Sequence, residues 1–311
     1  MLELRGIGRS FGDRRVLDDV SFTVGRGRLT GFVGGNGAGK TTTMRIILGV
    51  LAAHSGTVTF DGRPVDASRF GYMPEERGLY PKMKLAEHLT YLARLHGFDK
   101  HVASGKAHAL IDRLGLAERA DDPVENLSLG NQQRAQVAAA LVHDPEVLVL
   151  DEPFSGLDPM AVEVVQGVLS ERAAQGVPVL FSSHQLDVVE RLCDDLVIIA
   201  GGKVRAAGPR EELRRAHGTE RHELVVDGDL GWLRDRPGVR VDELAGGAAT
   251  FEADAATAQE VLRVALAAGP VRTFAPVRPT LAEIFREVIA DETTVPADVA
   301  AATGTPVEVA R

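Results

Sequence analysis

The sequence predicts an α/β fold with a mainly parallel core sheet, and three observations carry that expectation. Near-continuous apolar strand patterns at residues 29–33, 146–150, 177–182 and 196–199 alternate with stretches of helical periodicity. A glycine-rich loop, residues 34–39, joins the first of these strands to a helix. Near residue 217 the pattern changes to shorter elements in the order βαββαβα, as in a small α+β domain of the ferredoxin-like kind.

The elements follow in order. Residues 17–24 end in apolar–polar alternation, and residues 25–27 make a turn. Residues 40–51 read as a helix, with Met44, Ile47, Leu48 and Leu51 on one face. Residues 57–60 form a strand closed by Asp61-Gly62. Residues 82–145 are mostly helical: Leu85, Leu89, Leu92 and Leu95 make one stripe, and Leu110, Ile111, Leu114 and Leu116 another. A third helix, 132–142, stops before Asp144-Pro145. Residues 162–169 are helical. These features define a first domain over 1–216 with a helical subdomain at about 82–145.

A second domain spans 217–290. It holds a strand at 222–226, a short helix at 231–236, and strands at 239–244 and 249–253 around the turn Ala245-Gly246-Gly247. A helix at 255–267, a strand at 271–275 and a helix at 281–289 follow, the last opened by the capping pair Thr280 and Glu283. Trp232 reads as a core or interface anchor, and Glu283, Arg286 and Glu287 as a solvated helix face. Residues 291–311, rich in Thr, Pro, Ala and acids without periodicity, read as a disordered tail.

Composition sets the outer bounds. With 44% hydrophobic and 25% charged residues in 311, the chain is an ordinary globular one, not a disordered or disulfide-stapled one. The single cysteine, Cys193, permits no internal disulfide and reads as a small buried hydrophobe in a reducing compartment. A net charge of −9 argues against a broad nucleic-acid surface. No apolar run is long enough to span a bilayer, and the start lacks the form of a signal peptide.

Gly34-Gly35-Asn36-Gly37-Ala38-Gly39-Lys40-Thr41 fits G-x-x-x-x-G-K-[ST] at every fixed position, after a strand and before a helix. The glycines let backbone N–H groups turn inward around phosphate oxygens, and the helix N-terminus adds partial positive charge. Lys40 would reach the β and γ phosphates, and the Thr41 hydroxyl would face Mg²⁺, with Thr42 next along the helix start. The strand 147–150 places Asp151 and Glu152 at its C-terminal end, where ligands bind in open α/β sheets. Asp151 suits the metal and Glu152 the general base that polarises the attacking water.

At this point the chain resembles the ATPase subunits of ABC transporters. Leu127-Ser128-Leu129-Gly130-Asn131-Gln132-Gln133-Arg134 is similar to the family signature, Ser155-Gly156-Leu157-Asp158 to the D-loop, His184 to the switch histidine, and Phe11 to the aromatic that stacks on adenine. The resemblance covers residues 1 to about 215. It implies a P-loop NTPase fold that binds ATP and Mg²⁺. It also implies that two copies pair head to tail, each facing the other's phosphate loop with Ser128, Leu129, Gly130 and Asn131. A separate integral membrane permease would supply the transport path, with the ATPase peripheral on the cytoplasmic face of the membrane and no nucleic-acid partner. The small second domain, with the ending PTLAEIFREVI, resembles subunits of drug- or ion-exporting systems, which implies export. Three departures stand out: Leu129 replaces a glycine of the signature, Asn131 a glutamine, and Glu75 sits where the family has a metal-meeting glutamine. Glu75 can still offer an oxygen to Mg²⁺, at the cost of added negative charge. The alternatives are a soluble ATPase of the same kind acting on nucleic acid or ribosomes, and a non-hydrolysing regulator. A single cassette, no zinc cysteines and no long coiled coil count against the former, and intact Glu152 and His184 against the latter.

Overall fold

A computed structural model describes residues 1–76, 78–216 and 220–290. Strands β1 (Leu2–Phe11) and β2 (Arg14–Val24) form a hairpin that turns at Gly12, where φ is +56°. Strand β3 (Leu29–Val33) leads through the glycine loop into helix α1 (Lys40–Ile47). Strands β4 (Ser55–Phe60) and β5 (Arg63–Pro64) join the hairpin in an antiparallel sheet of order β2-β1-β4-β5. Strand β6 (Phe70–Met73), the helices α2 (Leu85–Leu95), α3 (Lys100–Arg113) and α4 (Leu129–Leu141), and strand β7 (Val147–Leu150) follow. Then come α5 (Pro159–Ala174), β8 (Val179–Ser183), α6 (Leu186–Leu192), β9 (Asp195–Ala200), β10 (Lys203–Pro209) and α7 (Arg210–Ala216).

The core sheet has the order β10-β9-β3-β8-β7-β6; all neighbours are parallel except the edge strand β10. Both faces of the parallel strands are covered, which is why these strands are apolar at most positions, whereas the edge strand β10 carries Lys203 and Arg205 and is partly exposed. Phe32, Val147, Val149, Leu180, Val197 and Ile199 face α1 and the antiparallel sheet. Val33, Leu148, Leu150, Phe181 and Leu196 face the helices. This two-sided burial fixes the strand ends and therefore the loops that leave them.

Several element ends differ from the sequence reading, each for a local reason. Helix α1 stops at Ile47, not Leu51, because the chain turns through Gly49 at φ +69°. Helix α4 begins at Leu129, earlier than residue 132, because Ser128 caps it: its Oγ accepts from the Asn131 N–H at 3.3 Å. Helix α5 likewise starts at Pro159 under the Asp158 cap, whose Oδ1 accepts from the Ala161 N–H at 2.8 Å. Leu95 lies on the exposed side of α2 and leaves the stripe that Leu85 and Leu89 bury. Strand β10 and helix α6 have no counterpart in the sequence reading. Cys193 is buried, as read, and burial pushes its thiol up to about 12.

Beyond residue 220 the chain forms its own sheet. Strands β11 (Arg221–Val226), β12 (Arg240–Ala245) and β13 (Ala248–Glu252), helix α8 (Ala255–Ala268) and strand β14 (Val271–Val277) give the antiparallel order β12-β13-β11-β14 of a ferredoxin-like unit. The first expected helix is only one turn of 3₁₀ helix, Gly231–Asp235. Leu224, Leu233, Phe251 and Val261 centre this separate core, with Trp232 partly buried against it. The last helix, α9 (Leu281–Ala290), does not cover the small sheet: Ile284 and Val288 pack on Ile198 of β9. Its capping pair forms as read, Glu283 Oε2 accepting from the Thr280 N–H at 2.8 Å. Glu283 is only partly exposed, and its other oxygen accepts from Arg221 Nη1 at 2.7 Å and ties α9 to β11. The stretch read as a disordered tail lies outside the described residues. Among those described, no helix is long and apolar enough to cross a membrane.

Candidate nucleotide site

The site lies where β3, β7 and β8 end. Leaving β3, the chain passes Gly37 at φ +75° and Gly39 at φ +108°, conformations that residues with a Cβ rarely adopt. A Cβ on Gly34 would stand 2.5 Å from the Ile199 carbonyl oxygen, so only glycine lets the loop lie this close to β9. Helix α1 starts directly after this loop, aiming its unpaired N–H groups at the cleft above. Lys40 crosses the loop and Nζ donates to the Gly34 carbonyl at 2.6 Å.

Strand β7 brings two acids to the same place. Thr41 Oγ1 donates to Asp151 Oδ2 at 2.9 Å, and the Ser182 hydroxyl, from β8, donates to Asp151 Oδ1. Glu152 follows in a left-handed conformation, φ +54°, and this bend carries its carboxylate toward β8. There Glu152 Oε2 meets His184 Nδ1 at 2.9 Å. Glu152 is nearly buried whereas His184 is exposed, so the pair presents its histidine end to the cleft.

The cleft encloses about 610 Å³. Of the residues singled out in sequence, Phe11, Asn36, Gly37, Ala38, Gly39, Lys40, Thr41, Thr42, Glu75, Asp151, Glu152 and His184 line it, and Gly34 forms the loop beneath. Phe11 is half exposed at its rim, with the Arg9 guanidinium 4.8 Å from the ring centroid. Ser128, Leu129, Gly130, Asn131 and Asp158 are not in this cleft. The start of α4 instead meets the turn that precedes Asp158: the Leu129 side chain packs on Gly156, and Gly130 lies beside the Gly156 carbonyl. Leu129 is the first residue of α4, so its backbone takes an ordinary helical conformation that a residue with a Cβ adopts freely. Sequence reasoning missed Arg14 and Val16, which line the cleft from the start of β2, and Ser182 and Gln133, which hold the acids from behind. Only pairing across the β1–β2 hairpin reveals the first two.

The cleft suits a nucleoside triphosphate, with a loop in which a larger residue at Gly34, Gly37 or Gly39 would clash or be strained. The all-oxygen set of Thr41, Asp151 and Glu75 suits a hard cation such as Mg²⁺.

Comparison with known proteins agrees. Residues 17–155 match the ABC transporter family model, and residues 208–289 match the family described as ATP-binding protein DrrA1-3-like, C-terminal domain. The chain is 39% identical over 293 residues to the uncharacterized ABC transporter ATP-binding protein YhaQ of Bacillus subtilis, covering 93% of this chain and 98% of that protein. The chain belongs to the ABC transporter ATP-binding proteins. It is thus an ATP-binding, ATP-hydrolysing subunit of the transporter type. It is also 36% identical over 241 residues to the Nod factor export ATP-binding protein I of Ralstonia nicotianae, covering 75% of each. A third relative is the linearmycin resistance ATP-binding protein LnrL of Bacillus subtilis, 32% identical over 235 residues, 73% of this chain and 76% of that one. Among solved structures, an ATP-binding subunit of an ABC transporter superposes with a TM-score of 0.65 at 32% identity, covering 70% of this chain and 92% of the other. These relatives are transporter subunits, which favours that reading over the nucleic-acid one.

Proposed function

We propose that this chain powers export through a separate membrane permease, at the cytoplasmic face, by ATP-driven pairing of two copies. The observation that carries the reading is the convergence of the Lys40 loop, the Thr41–Asp151 contact and the Glu152–His184 pair on one cleft. Two relatives named for export or resistance support the direction.

In this reading Phe11 stacks on the base, and the N–H groups of residues 34–42 and Lys40 hold the phosphates. Thr41 and Asp151, with Glu75, hold Mg²⁺, which when bound neutralises phosphate charge. Glu152 accepts the proton of the attacking water, and His184 orients that water against the γ-phosphate. Ser128 and the first-turn N–H groups of Leu129 and Gly130, which have no partner inside α4, face the nucleotide of the second copy, with Asn131 beside them. Asp158 caps α5 next to them and keeps the interface turn in place. The exposed rings of Tyr80 and Tyr91, 6.5 Å apart on the helical subdomain, offer the permease an apolar surface.

Glu152→Gln is the decisive variant, because it keeps shape and removes the base. ATP binding should persist, turnover should fall by roughly 10²–10⁴-fold, and size-exclusion chromatography with ATP should show a trapped dimer. Wild-type turnover would remove Glu152 from the reaction. Co-purification of a stoichiometric polytopic membrane protein from native membranes tests the permease.

A further inference from the structure

We propose that Gln133 is a positioning residue for ATP hydrolysis: from the second turn of α4 it holds the backbone that aims Glu152. The inference rests on the assignment of Glu152 as general base.

Glu152 has a Cβ yet occupies the left-handed region at φ +54°, which is disfavoured for such a residue unless its surroundings impose it. Two side chains from different elements do so. On one side the Glu152 N–H donates to Ser182 Oγ at 2.9 Å, and that hydroxyl also donates to Asp151. On the other side the Glu152 carbonyl accepts from Gln133 Nε2 at 2.8 Å and, more weakly, from the Ser155 N–H at 3.2 Å. Gln133 is buried, and the carbonyl can only accept, so the amide nitrogen must be the end that points at it. The Ser155 contact is a local turn that can persist through several backbone conformations. The Gln133 contact spans 19 residues and is made in a dry setting, so it fixes the peptide plane itself. That plane determines whether the Glu152 carboxylate reaches His184 Nδ1, 2.9 Å away. Gln133 does not itself line the cleft, and its hydrogen bond goes to the Glu152 backbone carbonyl rather than to Lys40 or Thr41, so its loss should spare nucleotide binding.

Gln133→Met keeps the side-chain length and removes the donor. Steady-state hydrolysis should show kcat lowered on the order of tenfold, a loss expected when a reacting group is misaimed by a fraction of an ångström, with the KM for ATP changed less than about twofold. In a Glu152→Gln background the same substitution should cause no further loss in single-turnover hydrolysis, because it acts only through that carboxylate. Gln133→Asn, which keeps the amide but is one methylene short, should give a smaller kcat loss with the same unchanged KM. It decides the matter alone if the methionine variant does not fold. A folded variant with kcat within twofold of wild type, a loss carried by KM, or a full further loss in the Glu152→Gln background would overturn the proposal. If Glu152→Gln itself retains wild-type turnover, the fault lies in the assignment of Glu152 and not in the contact.

Discussion

The two sheets on either side of residue 217 are built differently. The parallel strands of the core sheet of the ATPase region are covered on both faces, so they are apolar at most positions and their ends are rigid anchors for loops. The small sheet buries one face around Phe251, and its other positions are half exposed or exposed. Chemistry is concentrated at the rigid strand ends: Gly34–Thr42 after β3, Asp151 and Glu152 after β7, His184 after β8. The small sheet has no such convergence among its described residues. Its link to the ATPase region is mechanical, through α9 and the Arg221–Glu283 bond.

That contrast yields its strongest test in Phe251→Ala. Phe251 is fully buried in the small core, and its truncation should cost that region about 3–5 kcal/mol. A lower-temperature transition should separate from the main one in calorimetry, with ATP affinity unchanged. Loss of ATP affinity would show that the two regions do not fold independently. Ile284→Ala should behave differently, although it too removes a fully buried side chain. Ile284 belongs to α9 yet packs on Ile198 of β9, so about 2–5 kcal/mol should be lost from the ATPase transition. If only the small region is destabilised, α9 does not serve as the joint. Lys40→Ala gives the converse. It should weaken ATP binding by about 2–3 kcal/mol, roughly 30- to 150-fold, by removing a charged donor to phosphate. Both melting transitions should stay in place, and preserved affinity would count against the phosphate loop.

The same contrast governs what the sequence made legible. The phosphate loop, both acids and His184 could be read because the chemistry demands fixed residue types at short spacing beside a strand. Arg14 and Val16 could not, because they reach the cleft only through the β1–β2 pairing. Gln133 and Ser182 act on Glu152 from 19 and 30 residues away, and each looks like an ordinary helix or strand residue. In the small region the strands were legible from alternation and turns. The destination of α9 was not: an amphipathic helix announces an apolar face but not the surface that covers it.

The weakest effect expected is a pH dependence at the joint between the helical subdomain and the core sheet. His96, at the end of α2, stacks on His143, after α4, with ring centroids 3.8 Å apart. His143 Nε2 also contacts the Phe70 carbonyl of β6 at 3.2 Å. Burial, reinforced by the neighbouring His96, pushes His143 down to about 4, from an ordinary value near 6.5. The sign follows from linkage. Above pH 6.5 both folded and unfolded chains hold the ring neutral, and the folded stacking stabilises fully. Between pH 6.5 and about 4 the unfolded chain binds the proton first, so stability falls as pH falls. The melting temperature of the ATPase region should therefore drop between pH 7 and pH 5. His143→Phe, which keeps a ring on His96 but cannot titrate, should show a smaller drop over the same interval. An equal drop in both proteins would place the acid sensitivity in other groups and leave the stacked pair a purely packing contact.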